Sequence, residues 1–106
     1  MKVNRRVDKG RIVLFVVDYD VDRFGQHDPE SWKFFEYVSN AVIEGLSAVI
    51  LERNDGPDAS RWVCRIRLGL VYFDFDDMMG MSISIDENDP SSEAILEEVS
   101  SILAKL

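Results

Sequence analysis

Between Ser60 and Ile85 the chain alternates apolar and polar residues with a period of two, in three successive stretches separated by turn chemistry. Trp62, Cys64 and Ile66 fall on one face of the first stretch, and Arg61, Val63, Arg65 and Arg67 on the other. Val71, Phe73 and Phe75 alternate with Tyr72, Asp74 and Asp76; Met81, Ile83 and Ile85 alternate with Ser82 and Ser84. A period of two fits only a strand with one buried face, because successive side chains of an extended chain point to opposite sides. Leu68-Gly69 and Asp77 to Gly80 supply turns, so the three strands form an antiparallel meander. If Leu68-Gly69 is a two-residue turn, Cys64 pairs with Phe73 and Trp62 with Phe75 inside, while Arg65 meets Tyr72 and Arg61 meets Asp76 outside.

The rest of the chain extends this sheet. Arg11 to Tyr19 is β-branched and aromatic at both parities, which predicts a strand covered on both faces or lying inside the sheet. Asp28-Pro29 predicts a helix start, and Trp32, Phe35, Val38, Val42 and Leu46 recur at helical spacing, with Phe34 and Tyr37 toward the edge of the face and Gly45 near the end. Ala48 to Arg53 predicts another strand, handed over by Asn54-Asp55-Gly56-Pro57-Asp58 to the first strand of the meander. Asn88-Asp89-Pro90 repeats the cap-and-proline signal before a helix carrying Ile95, Val99, Ile102, Leu103 and Leu106 on one face. The expected order is β-α-β-β-β-β-α. It is an α+β domain over residues 1–106, with an antiparallel-rich sheet of about five strands and two helices packed on one face.

Charge is distributed unevenly. From Leu68 to Ala104 there is no Lys or Arg, yet nine carboxylates: Asp74, Asp76, Asp77, Asp86, Glu87, Asp89, Glu93, Glu97 and Glu98. Residues 1–11 hold five basic side chains against one acid, a net +4; the remainder holds seven against nineteen, a net −12. Such a balance excludes nucleic acid and anionic membranes as partners and favours a basic protein. The apolar run Ile12 to Val17 is too short for a membrane span, ends in Asp18 and precedes no small-residue cleavage site. With Cys64 as the only cysteine, no internal disulfide is available, and a cytoplasmic location is expected.

Few residues carry recognisable chemistry. Asp74, Asp76 and Asp77 cluster at a strand end, where hard oxygen ligands suit a divalent cation or a cationic partner; alternatively Asp76 pairs with Arg61 and Asp77 caps the following turn. Asp18, Asp20 and Asp22 imitate the start of a calcium loop, but Arg23 stands where that loop needs glycine and Pro29 where it needs glutamate. His27 is the only histidine and has no cysteine or serine at a catalytic spacing. Isolated glycines offer no phosphate loop, so no cofactor is expected. Cys64 falls on the core face as an inert thiol.

Glu52-Arg53-Asn54-Asp55-Gly56-Pro57, a meander strand with Trp62, then Phe73-Asp74-Phe75-Asp76-Asp77-Met78-Met79-Gly80 and an acidic closing helix resemble small bacterial immunity proteins, those that neutralise the toxin domains of contact-dependent inhibition and related polymorphic toxin systems. The resemblance covers about half the chain. It implies a non-enzymatic cytoplasmic inhibitor that binds one cognate toxin domain, often a basic nuclease, by charge and shape. Tyr72, Asp74, Asp76, Asp77, Glu97 and Glu98 are the candidate contact residues. Two rivals stand beside this reading. One is a structural domain, homodimeric through the second apolar face of the first strand; the other is a metal-dependent enzyme using Asp18, Asp20, Asp74 and Asp76.

Overall fold

A computed structural model describes residues 2–18, 32–67, 69–76 and 80–106. The elements run β1 (Lys2–Asp8), β2 (Arg11–Asp18), α1 (Trp32–Leu46), β3 (Val49–Asp55), β4 (Ala59–Ile66), β5 (Gly69–Asp76), β6 (Gly80–Asp86) and α2 (Ser92–Lys105). All six strands form one sheet in the order β1-β2-β6-β5-β4-β3, antiparallel throughout. From β3 to β6 the chain is the expected meander, and β2 lies inside the sheet between β1 and β6.

The sheet has six strands rather than about five, because the basic N-terminal segment is itself a strand. Lys9 and Gly10 both take positive φ (51° and 78°) and close a two-residue hairpin between Asp8 and Arg11. That pair of left-handed residues matches the strand twist, and glycine supplies one of them without strain. β1 is mostly polar because it is an edge strand, so the alternation that marks the inner strands is weak there.

Both helices lie on one face of the sheet and enclose the core with it. Ile12, Leu14 and Val16 of β2, Trp62, Cys64 and Ile66 of β4, Val71, Phe73 and Phe75 of β5, and Met81, Ile83 and Ile85 of β6 all point toward them. Phe35 anchors α1, edge-on to Trp62 at 5.1 Å between ring centroids and 5.7 Å from Phe75. Such aromatic contacts add to the area they bury. Phe34 belongs to the core rather than to its edge, fully buried beside Phe35 and Val38. The buried arc of α1 is Phe34, Phe35, Val38, Ser39 and Val42, wider than the stripe of every third or fourth residue.

Three local expectations are corrected. The β4–β5 pairing is shifted by one residue and begins with Ile66 opposite Gly69, so Trp62 faces Phe73, Cys64 faces Val71, Val63 faces Tyr72 and Arg61 faces Asp74. Gly69 is needed inside β5, because the Asp89 carboxylate and Ile95 crowd the place where a Cβ would stand. Gly45 does not end α1, which continues to Leu46 before Ser47 turns left-handed at φ 53°. Its missing side chain instead admits Ile102, whose Cδ1 lies 2.7 Å from the position a Cβ would take. At α2 the N-cap is Ser91, not Asp89: Asp89 Oδ1 accepts from the Ser91 N–H at 2.8 Å and closes a turn just before the helix. The Asp28-Pro29 cap, the 21–27 loop and the Asp77 turn lie outside the described residues.

Candidate functional site

With both helices on one side, the other face of the sheet is covered by no helix among the described residues. Alternation decides what it shows. Arg11, Val13 and Phe15 come from β2, Ser82, Ser84 and Asp86 from β6, Tyr72, Asp74 and Asp76 from β5, and Arg61 and Val63 from β4. A groove of about 970 Å³ runs over this face, floored by Val13, Phe15, Ser82 and Ser84 and walled by Arg61 and Asp74. The small serines of β6 keep the floor low, and the longer Arg11 of β2, Arg61 of β4 and Asp74 of β5 border it.

Tyr72 sits at the middle of a cationic stack. The Arg11 guanidinium lies 3.8 Å from its ring centroid and that of Arg61 5.8 Å. Arg61 Nε in turn donates to Asp74 Oδ1 at 2.6 Å, which raises the arginine's pKa further, and Arg11 Nε is 3.7 Å from Asp86 Oδ1. Arg6 lies over Phe15 at 5.8 Å. The face is therefore a lattice of planar guanidinium and aromatic groups with carboxylates between them. It suits a polar protein surface, because guanidinium forks and aromatic rings are the groups that interfaces favour.

The candidate contact residues do not share one surface. Tyr72, Asp74 and Asp76 lie on the open face; Glu97 and Glu98 belong to α2, in the helical layer across the core; Asp77 is outside the described residues. Two of them, Asp74 and Glu98, and two further acids, Asp86 and Glu93, are engaged within the chain. Asp74 holds Arg61, Asp86 holds Arg11, Glu98 Oε1 accepts from Arg67 Nη2 at 2.8 Å, and Glu93 takes both terminal nitrogens of Arg5. The Arg5 bond also pulls the Glu93 carboxyl below its usual range. Each of these four pairs joins a carboxylate of the acidic third to an arginine from the earlier part of the chain. Four of the nine carboxylates of the acidic third are thus taken up in ion pairs at the surface, a kind of pair that stabilises a fold little. What survives at a distance is the net −8.

Sequence reasoning placed Arg61 on this face but gave it Asp76 rather than Asp74 as its partner, and it missed Arg11. Arg11, Arg61, Ser82 and Ser84 shape the groove as much as Asp74 does, and the parity of β2 and β6 was the signal that places them there. As to chemistry, no three potential metal ligands gather among the described residues, and Asp74 is already spoken for by Arg61. Asp20 and the Asp18 side chain lie outside what is described. Cys64 is buried beneath the sheet, where loss of solvation pushes its thiol up to about 11, so at neutral pH it is protonated and unreactive. Comparison with protein-family models, curated proteins and solved structures finds no match for this chain. Among the described residues, no helix is long and apolar enough to cross a membrane.

Proposed function

We propose that the chain is a binding protein that neutralises a bacterial toxin domain, and that its open sheet face makes the contact. The observation that carries this reading is the groove lined by Arg11, Phe15, Arg61 and Asp74 on the face opposite the helices. The net charge of −8 supports a basic partner, since it accelerates encounter over distances of about a Debye length, roughly 8 Å at physiological ionic strength. On contact, Asp74 and Asp86 exchange their intramolecular arginines for the partner's cations, while Tyr72 and the released guanidiniums meet its polar groups. Occlusion of a basic active-site cleft then inhibits without any covalent step. Asp76, at the end of β5, forms the rim of this contact in the proposal, and Glu97 and Glu98 serve only the long-range field.

The test first asks whether a gene for a large secreted protein ends immediately upstream of this chain's gene, and takes the C-terminal domain of that protein as the partner. Binding is measured by surface plasmon resonance, and protection by survival of cells expressing the domain. Tyr72→Ala and Ser82→Arg are expected to weaken binding and abolish protection with the fold intact. Glu97→Lys is expected to slow association only modestly. Loss of binding in Glu97→Lys with none in Ser82→Arg would move the contact to the helical layer and refute the assignment; absence of any toxin gene at that place would remove the functional reading.

A further inference from the structure

We propose that the edge strand β3 is a homodimer interface, paired antiparallel with the same strand of a second copy about a two-fold axis near Ile50. This goes beyond the toxin-binding reading and does not depend on it. β3 ends the sheet, and no described strand lies beyond it. Every second residue of such a strand turns its N–H and C=O outward, a template on which another extended strand can pair. Every residue of β3 is exposed, and its first three form an apolar run: Val49 at 56 %, Ile50 at 43 % and Leu51 at 48 %. Three consecutive exposed apolar residues on an unpaired edge are what soluble monomers avoid.

The opposite edge shows how such a strand is protected. β1 carries Asn4, Arg5, Arg6 and Asp8, with Val7 as an isolated exposed apolar residue, so pairing there would strand charges between sheets. On β3 the charges begin only at Glu52; the one irregularity before them is the register shift between Ile50 and Glu52, a bulge that makes Leu51 the extra residue of the strand toward β4. Those charges are moreover committed within the subunit. Arg53 lies 4.1 Å over the Trp62 ring, donates to Asp55 at 3.0 Å and reaches Glu36 of α1 at 3.7 Å; Glu52 accepts from Asn54 at 2.6 Å.

Self-complementarity selects a second copy as the occupant. An axis through Ile50 sets Ile50 against Ile50 and Val49 against Leu51, and brings Glu52 opposite Ala48, so no like charges meet. Moving the axis to Glu52 would set that carboxylate against its own copy, which opposes pairing. Isologous pairing of this kind closes at two subunits and consumes both β3 edges, leaving β1 edges that are charged. It also joins the open faces of the two sheets side by side.

The experiment is sedimentation equilibrium of the wild-type chain from low micromolar to several hundred micromolar, with hydrogen exchange of the β3 amides at both ends of the range. The expected result is a monomer–dimer equilibrium in which β3 amides exchange more slowly at high concentration. Ile50→Lys and Leu51→Lys are expected to raise the dimer dissociation constant more than about tenfold, which is about 1.4 kcal/mol, with unchanged circular dichroism and melting temperature at low concentration. Val7→Lys on the opposite edge is expected to leave it unchanged. A wild type that stays monomeric throughout, a dimer that survives both lysine substitutions, or a dimer lost in Val7→Lys would each overturn the proposal. A monomer whose β3 amides become protected only on adding the toxin domain would assign the edge to a foreign strand instead. Should either lysine variant fail to fold, the concentration dependence and exchange of the wild type alone decide.

Discussion

Replacing Asp55 tests how the meander is locked to the helical layer. Trp62 is fully buried, and its Nε1 donates to Asp55 Oδ1 at 2.9 Å, while Arg53 donates to Asp55 Oδ2 at 3.0 Å and stacks on the Trp62 ring. Asp55→Ala removes a charged acceptor and leaves a buried indole N–H unpaired, which costs about 1–3 kcal/mol. The lost Arg53 ion pair adds about 0–1 kcal/mol, because both partners are substantially exposed. The Asp55 side chain is 34 % exposed, so water entering the vacated space satisfies part of the indole's need and brings the expected total to about 2 kcal/mol. For a domain of this size that is a fall in melting temperature of roughly 10 °C. Asp55→Asn keeps an oxygen acceptor for the indole and loses only the charge, so its expected cost is about 1 kcal/mol.

The same contact carries a pH signature. The bond from Trp62, with those from Arg53 and Ser60, holds the Asp55 carboxyl below its usual range. A carboxyl depressed in the folded state stabilises the fold above its unfolded pKa of about 3.9, and that stabilisation is lost as pH falls through the lower folded value. The stability gap between wild type and Asp55→Asn is therefore expected to close in that acidic window and to stay constant above it. Urea unfolding followed by tryptophan fluorescence, repeated across pH, measures both effects. An Asp55→Ala variant as stable as wild type, or a gap to Asp55→Asn that does not change with pH, would refute the argument that this bond holds Trp62 in place.

Two further outcomes follow from the register and the core. Phe73→Asp places a carboxyl at a fully buried position opposite Trp62 and is expected to cost several kcal/mol, whereas Tyr72→Asp, one residue away on the open face, is expected to cost about 1 kcal/mol or less through loss of the stack with Arg11; equal melting temperatures for the two would refute the alternation of β5. Cys64, buried with its thiol pushed up to about 11, is expected to resist an aromatic disulfide reagent in the native protein and to react at once in denaturant; rapid native labelling would place it elsewhere.

The strands from β4 to β6 and both helices were legible because their patterning is strong: Trp62, Cys64 and Ile66, then Val71, Phe73 and Phe75, then Met81, Ile83 and Ile85 each recur at a period of two, and Phe35, Val38 and Val42 at helical spacing. Periodicity also gave the faces, since parity alone assigns Tyr72 and Asp74 to one side and Phe73 to the other. It failed at β1, where an edge strand has little to bury and Lys9-Gly10 was the only local sign of a hairpin. It failed by one residue at the β4–β5 turn, because Gly69 looks like turn chemistry in sequence and is required instead by the approach of Asp89 and Ile95, residues some twenty positions away. The electrostatic surface was the part least readable from the chain. Composition determines the net charge of −8, but which acids remain available to a partner depends on long-range geometry: Arg5 reaches Glu93, Arg67 reaches Glu98 and Arg61 reaches Asp74 only once the strands are ordered and α2 is laid beside them. Local sequence sets each segment's conformation through short-range sterics and periodic burial, whereas a pair of charges separated by up to 88 positions is formed by the fold, and so the surface a partner meets is decided there.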